Sequence, residues 1–579
     1  MLLVIRVDVR TGSCDYLSLI NLIAMTIARL SVLCAVLFLA SPATIAQHHT
    51  EPQLTRADTL RGSVTPQRAW WDVVKYELSV VIDPETQTIK GTNVIRYKVL
   101  SGGDVMQVDL QQPMVIDRAT QDGKELVVQR DGAAHFIKLT KTQTTGAVNE
   151  VSIEFSGKPR VARMPPWDGG ITWKKDPNGK HFIANANQGL GASVWWPCKD
   201  HQYDEPDNGM IIRLNVPSGL VAVSNGRLKS QKTERNKTKT FTWEVVNPIN
   251  SYAVNLSVGD YVNFSEKYAG EKGQLDMQYW VLRDNLERAK THFKDAVRTV
   301  QALEHWFGPY PFYEDSYKLV EVPYLGMEHQ SSVTYGNDYK MGYRGADLSG
   351  TGEGLKWDFI IVHESGHEWF GNNITTEDIA DMWVHEGFTS YSESLFTEFH
   401  YGTEAGATYT RGLRGNIQND KPIIGTYGVN KRGSGDMYYK GHNMLHTLRQ
   451  IVNDNVKWRE VLRGLNRDFY HSIVTSAKVE KYIAEKTGLK LDAFFDQYLR
   501  DKRIPVLEYR VKGNVLSHRW VNCIESFDMP VTILVNGSPQ TIRPTTQFSQ
   551  TTLEVSEPAI IVDPDFYVYS FNILGEAKK

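Results

Sequence analysis

The five residues His363-Glu364-Ser365-Gly366-His367, set in an apolar run from Trp357 to Gly371, constrain this chain more than any other stretch. Such a run predicts a buried helix, and four residues of helix advance about 400°, so both imidazoles leave one face a turn apart. That spacing suits two nitrogen ligands of a tetrahedral zinc ion, with Glu364, one step round the helix, directed at a water on the metal. The fold must therefore bury this helix and bring a third ligand to it. Trp383-Val384-His385-Glu386 offers one, with Glu386 nineteen positions after His367. Two His and one Glu leave a fourth position open to water, which distinguishes a catalytic zinc from a closed structural one. His385 is the rival ligand, but adjacent helical residues diverge by about 100°, so only one of the pair faces the metal. Glu393, two turns beyond Glu386, is spaced to accept a hydrogen bond from a ligand imidazole, or else is a solvated helical carboxylate.

The rest of the chain sets the frame for that site. Its 579 residues predict several domains, each large enough to bury a core. With Lys+Arg 64 against Asp+Glu 67, the net charge of −3 gives no electrostatic reason to hold nucleic acid or an anionic membrane. Residues 1–46 read as a secretory signal: Arg29 precedes the apolar stretch Leu30 to Ala40, and a small-residue site ends at Ala46. The stretch is short of the roughly 20 residues that span a bilayer, so the expectation is cleavage, export to periplasm or extracellular space, and no transmembrane anchor in the mature chain. Met25-Thr-Ile-Ala-Arg29 makes a better signal start than Met1, whose following residues include Asp8 and Asp15. Cleavage leaves two cysteines, Cys198 and Cys523, expected as free thiols in preference to one bridge, and too few for a cysteine-rich metal site.

Periodicity divides the mature chain. Residues 55–262 alternate apolar and polar, as in Lys75 to Ile82 and Gly91 to Val99 across an Asp83-Pro84-Glu85 turn, and predict an antiparallel β domain. Residues 263–503 turn to helical spacing, with Ala289, Phe293, Ala296, Val297, Val300 and Leu303 at intervals of three and four, and predict a mostly helical domain. Residues 504–579 return to period two around Asn536-Gly537 and predict a small β module.

With its His-Glu-x-x-His run and a Glu nineteen positions on, the chain resembles the M1 family of zinc aminopeptidases. The resemblance extends to Trp369-Phe-Gly-Asn372, Glu386-Gly-Phe-Thr-Ser-Tyr-Ser-Glu393, Tyr310-Pro-Phe312 and Trp195-Trp-Pro-Cys-Lys-Asp200. It implies a multidomain α+β architecture: an N-terminal antiparallel β domain, a thermolysin-like, mostly helical catalytic domain and a C-terminal β-sandwich. It also implies one zinc ion on His363, His367 and Glu386, with Glu364 as general base and peptides with a free N-terminus as substrates. The family's Gly-x-Met-Glu-Asn element is matched by Leu325-Gly326-Met327-Glu328-His329, so Gly326 and Met327 would flank the substrate and Glu328 would bind its α-ammonium. Leu325 departs from the family glycine and His329 from its asparagine. The histidine is expected to bring a group that titrates near pH 7 beside Glu328. Gln188, nine positions before Pro197, aligns with the second amine-binding position, its carbonyl accepting from the ammonium. Tyr438, in Tyr438-Tyr439-Lys440-Gly441, matches the tyrosine that donates to the oxyanion. Three alternatives remain at this stage: a zinc endopeptidase of thermolysin type, which has no use for an amine site; a bifunctional epoxide hydrolase within the same family, which requires an Asp eight residues before the catalytic tyrosine, where this chain holds Asn430; and a non-catalytic M1-like peptide-binding scaffold.

Overall fold

A strict in-and-out alternation makes Trp71–Asp83 a strand with Val73, Tyr76, Leu78, Val80 and Ile82 turned to the core. It pairs antiparallel with Thr88–Val99 and anchors an eight-stranded sheet. In the computed structural model of this protein residues 53–573 are described; the 1–46 leader, its Met25 start, Cys14 and Cys34 lie outside them. The sheet departs from the all-antiparallel expectation at one place, because Trp71–Asp83 also pairs parallel with Met210–Pro217. The intervening chain is long enough for the crossover that a parallel pair needs, and strand alternation carries no sign of direction. A four-stranded sheet and a three-stranded one complete this region around Trp71, Trp195, Trp196 and Trp243, all fully buried.

The next region does not begin with helices. Tyr261–Gly270 and Gly273–Leu282 form a ten-residue hairpin, extended by parallel Tyr317–Glu321 and Val333–Tyr335 and, at the edge, by antiparallel Gly326–Met327. The apolar spacing from Ala289 to Leu303 forms two helices broken at Phe293, the second of them α1 (Lys294–Phe307), which buries Ala296, Val300 and Leu303. Against this sheet lies α2 (Phe359–Gly366); α3 (Trp383–Tyr401) packs on α2, and α4 (Tyr439–Val452) on α3. The expected helix from Trp357 to Gly371 is shorter at both ends. Asp358 starts it by accepting from the Ile360 and Ile361 amides at 2.9 and 3.2 Å, and its other oxygen is held by Tyr335 and His292. After Gly366 the last amides tighten, and the His367 carbonyl turns to the Asn372 amide at 3.0 Å.

The C-terminal strands form a four-stranded and a three-stranded sheet whose inner residues, among them Leu507, Trp520, Val531 and Ile533, join the core of the helical region. Asn536 and Gly537 both take positive φ, 48° and 87°, the turn that matches a twisted hairpin. Cys198 and Cys523 are free thiols. Among the described residues no helix is long and apolar enough to cross a membrane.

Candidate active site

Three ligand-type side chains converge where α2 meets the first turn of α3. The His363 and His367 rings lie 5.1 Å apart, and their Nε2 atoms stand 3.8 and 3.3 Å from Glu386 Oε2. Each Nδ1 is already engaged, that of His363 with Glu393 Oε1 at 2.8 Å and that of His367 with the Phe370 carbonyl at 3.0 Å. Both rings therefore aim Nε2 at the same point. Glu393 is buried, and its second oxygen accepts from the Tyr409 hydroxyl at 2.8 Å, so it is a fixed support rather than a solvated helical carboxylate.

His385 points away from this cluster. Its Nε2 accepts from the Thr376 amide at 2.9 Å, and burial, with the His367 charge adding to it, pushes its pKa down to about 3. Glu386, its neighbour on α3, is the residue that faces the two imidazoles, as divergence on a helix requires.

The set fits a divalent cation on its own chemistry. Glu386 Oε2 is buried and accepts no hydrogen bond, and the ligand atoms of His363, His367 and Glu386 lie within 4.8 Å of one another. Burial alone would push the His363 imidazole down in pKa, yet Glu386 and Glu393 hold it well above its ordinary range. Glu386 is pulled well below the ordinary carboxylate range by the two imidazoles although burial opposes this. The pocket is thus built to hold positive charge at that point, and two imidazole nitrogens with one carboxylate oxygen are the donor set of an open zinc site.

Glu364 lies one step round α2 from His363, and burial raises its carboxyl to about 7, with the Glu328 and Glu386 charges adding to the rise and the imidazoles opposing it. Beside it passes the edge strand Gly326–Met327. A Cβ on Gly326 would sit 2.6 Å from Ile360 Cγ2 and 3.3 Å from Glu364 Cγ, so only glycine lets the strand run this close to the helix. The Met327 carbonyl is tied to Thr334 Oγ1 at 3.0 Å and its sulfur to the Asn187 amide at 3.3 Å. Glu328 follows, buried, with its carbonyl held by Asn372 Nδ2 at 3.1 Å.

Gln188 reaches this corner from the end of strand His181–Ala186, which is fixed where Asn185 bridges the Val254 carbonyl and the Leu256 amide. Its amide nitrogen donates to Glu328 Oε1 at 2.8 Å and to Glu386 Oε1 at 2.6 Å. Both amide hydrogens are used, and only the carbonyl remains to accept. Tyr438, at the start of α4, stacks on the His363 ring at 6.1 Å, and burial followed by the Glu386 charge keeps its phenol protonated far above neutral pH.

His329 corrects an expectation. It is fully buried with no acidic partner, Nδ1 lies 3.3 Å from Thr334 Oγ1, and burial pushes its pKa down to about 3. It stays neutral at pH 7 and titrates nothing there, because no charge offsets the cost of burying an imidazolium. Leu325, the other departure from the family element, packs into the wall of the cavity.

Glu364, Tyr438, Gln188, Gly326, Met327, Glu328, His363, His367 and Glu386 all line one cavity of about 400 Å³. The structure adds residues outside the sequence motifs: Trp167, from a loop of the β region, Tyr343 on the apolar wall and Arg432, each from a separate loop, and Phe359, one turn before His363 on α2 and stacked on its ring at 5.1 Å.

Comparison with known proteins identifies the family of both regions. The Peptidase M1 N-terminal domain model matches residues 73–253 and the Peptidase family M1 domain model residues 292–498. "Probable aminopeptidase 1" of Sulfurisphaera tokodaii is 21% identical over 500 residues, covering 81% of this chain and 59% of its own length. "Aminopeptidase B" of Mus musculus is 24% identical over 375 residues, covering 60% and 52% respectively. The chain thus spans little more than half the length of these relatives. The fold is that of the M1 zinc metallopeptidase from Deinococcus radiodurans, with a TM-score of 0.63 and 20% identity, covering 77% of this chain and 98% of that one.

Proposed function

Since the chain belongs to the M1 family of peptidases, we propose that it is a zinc-dependent aminopeptidase that removes N-terminal residues from peptides, with one zinc per chain. The observation that carries this reading is the single cavity in which three metal-ligand atoms converge beside the carboxylate of Glu328 and the carbonyl of Gln188. A zinc ion held by His363, His367 and Glu386 would supply Lewis acidity, acidifying a bound water and polarising the scissile carbonyl.

The chain's own residues do the rest. Glu328 takes the substrate ammonium as an ion pair and the Gln188 carbonyl accepts a second hydrogen bond from it, which sets the first peptide bond beside Glu364. A peptide without that ammonium leaves Glu328 a buried anion with no counter-charge, which selects against internal bonds. Glu364 accepts the proton of the attacking water and returns it to the departing amine. Tyr438, kept protonated by its surroundings, donates its hydroxyl hydrogen to the developing oxyanion, a contribution of about 3–4 kcal/mol where one such donor has been removed. Glu393 and the Phe370 carbonyl keep the two imidazoles oriented.

The test is hydrolysis of a panel of aminoacyl-naphthylamides beside their N-acetylated counterparts, with and without a zinc chelator. Chelator-sensitive cleavage of the free amines alone is expected. Cleavage of blocked internal bonds would make it an endopeptidase, and none by zinc-loaded protein would leave a binding scaffold. We further propose export, on the signal pattern that ends at Ala46. The mature protein recovered from its native host should begin at Gln47, and recovery of an unprocessed chain would overturn this.

A further inference from the structure

The proposed catalytic cavity is lined by four carboxylates, Glu328, Glu364, Glu386 and Glu393, and by a single Lys or Arg, Arg432. Glu386 and Glu393 are committed to the imidazoles, and Glu364 faces them from α2. Arg432 is exposed at the cavity, and among the described residues its guanidinium has no ion-pair or hydrogen-bond partner. A guanidinium presents a planar fork of donors that matches a carboxylate. In most exposed positions such a side chain is free to wander.

The backbone under it is not free. The Gly425 amide donates to the Ala380 carbonyl at 3.0 Å and the Gly428 amide to Asp378 Oδ2 at 2.8 Å. The Ser434 amide donates to the Pro422 carbonyl at 2.9 Å, while the Ser434 hydroxyl bonds Asp420. A Cβ on Gly433 would meet the Ile423 carbonyl oxygen at 1.8 Å, so the segment after Arg432 is pressed against its neighbour. The loop therefore fixes where the Arg432 side chain leaves the backbone and brings a positive charge to the cavity.

A short peptide carries an ammonium at one end and a carboxylate at the other. The cavity offers a carboxylate for the first and, from a separate loop, one unpaired cation for the second. We propose that Arg432 binds the carboxylate of the substrate portion beyond the scissile bond, making short peptides with a free C-terminus preferred substrates. This rests on the aminopeptidase reading. The same chemistry would be met by an Asp or Glu side chain at the second position.

The experiment takes the first residue, X, that the naphthylamide panel favours. It compares X-Ala free acid, X-Ala amide, X-Asp amide and X-naphthylamide in the wild type and in Arg432→Met. In the wild type, kcat/KM for a carboxylate-bearing substrate is expected to exceed that for X-Ala amide by about tenfold, expressed in KM, the size of one charge-assisted hydrogen-bonding contact. Arg432→Met should erase the difference and leave X-naphthylamide within about twofold. A preference for X-Ala acid identifies the C-terminal carboxylate, and one for X-Asp amide identifies the side chain. No carboxylate preference in the wild type, or an equal loss in the variant on all four substrates, overturns the proposal. If zinc-loaded protein cleaves nothing in the naphthylamide panel, the aminopeptidase reading fails and X is set to Leu. Calorimetric binding of X-Ala acid against its amide, in both proteins, then decides the role of Arg432 by the same tenfold difference.

Discussion

Replacing Glu364 by Gln should lower kcat by about 10²–10⁴-fold, the range that a positioned acid–base group supplies, while leaving the zinc content unchanged. The two readouts separate because the set read as the ligands is His363, His367 and Glu386; Glu364 also lies within reach of His367 and Glu328, but with both imidazoles and Glu386 in place it is not needed to hold the ion. Glutamine keeps the shape and can accept a hydrogen bond, so the water is still positioned, but it cannot take a proton and return it to the amine. Burial and the charges of Glu328 and Glu386 raise the carboxyl in the wild type, and these are the surroundings that fit a residue whose task is to hold a proton briefly. Metal analysis and steady-state kinetics on free-amine naphthylamides check this. A variant that retains full zinc and works within tenfold of the wild type would remove Glu364 from the role of base.

Much of this site was legible in the sequence because its central parts are local. The four-residue spacing of His363 and His367 and the choice of Glu386 over His385 follow from helix geometry alone, and the structure agrees on both. The extent of the helix was less legible: an apolar run extends through Trp357 and Trp369, but Asp358 begins the helix and the turn at His367 ends it, so burial outlasts periodicity. The parallel pairing of Trp71–Asp83 with Met210–Pro217 was hidden because alternation says which face is buried and nothing about the partner strand. His329 was misread because residue type gives a pKa in water, whereas the burial that sets it comes from the tertiary fold. Tyr409 behind Glu393 and Arg432 at the cavity rim came only with the coordinates, since each joins the site across segments that share no period with it.

Replacing Glu386 by Gln should cost more than either of its hydrogen-bonding neighbours would, since it removes a ligand and the charge that makes the other two effective. Substitution of a group that only orients a ligand typically costs about 10–100-fold in metal affinity, so loss of the ligand itself should exceed about 100-fold. In the native protein one oxygen of Glu386 faces both imidazoles and the other is fixed by the Gln188 amide nitrogen, which also bridges to Glu328. An amide at position 386 would leave two neutral imidazoles to hold a dication in a buried pocket, and could present an NH₂ donor to Gln188 in place of an acceptor. Zinc content should fall from near one per chain to a small fraction after dialysis, peptidase activity should fall with it, and excess zinc should restore only part. The Gln188 bridge adds a second consequence: Glu328 loses a partner in its support, so KM for free-amine substrates should rise in the protein that zinc does reactivate. A Glu386→Gln protein that keeps stoichiometric zinc through dialysis would mean that the third ligand lies elsewhere. His385, turned to the Thr376 amide, is not positioned to take its place.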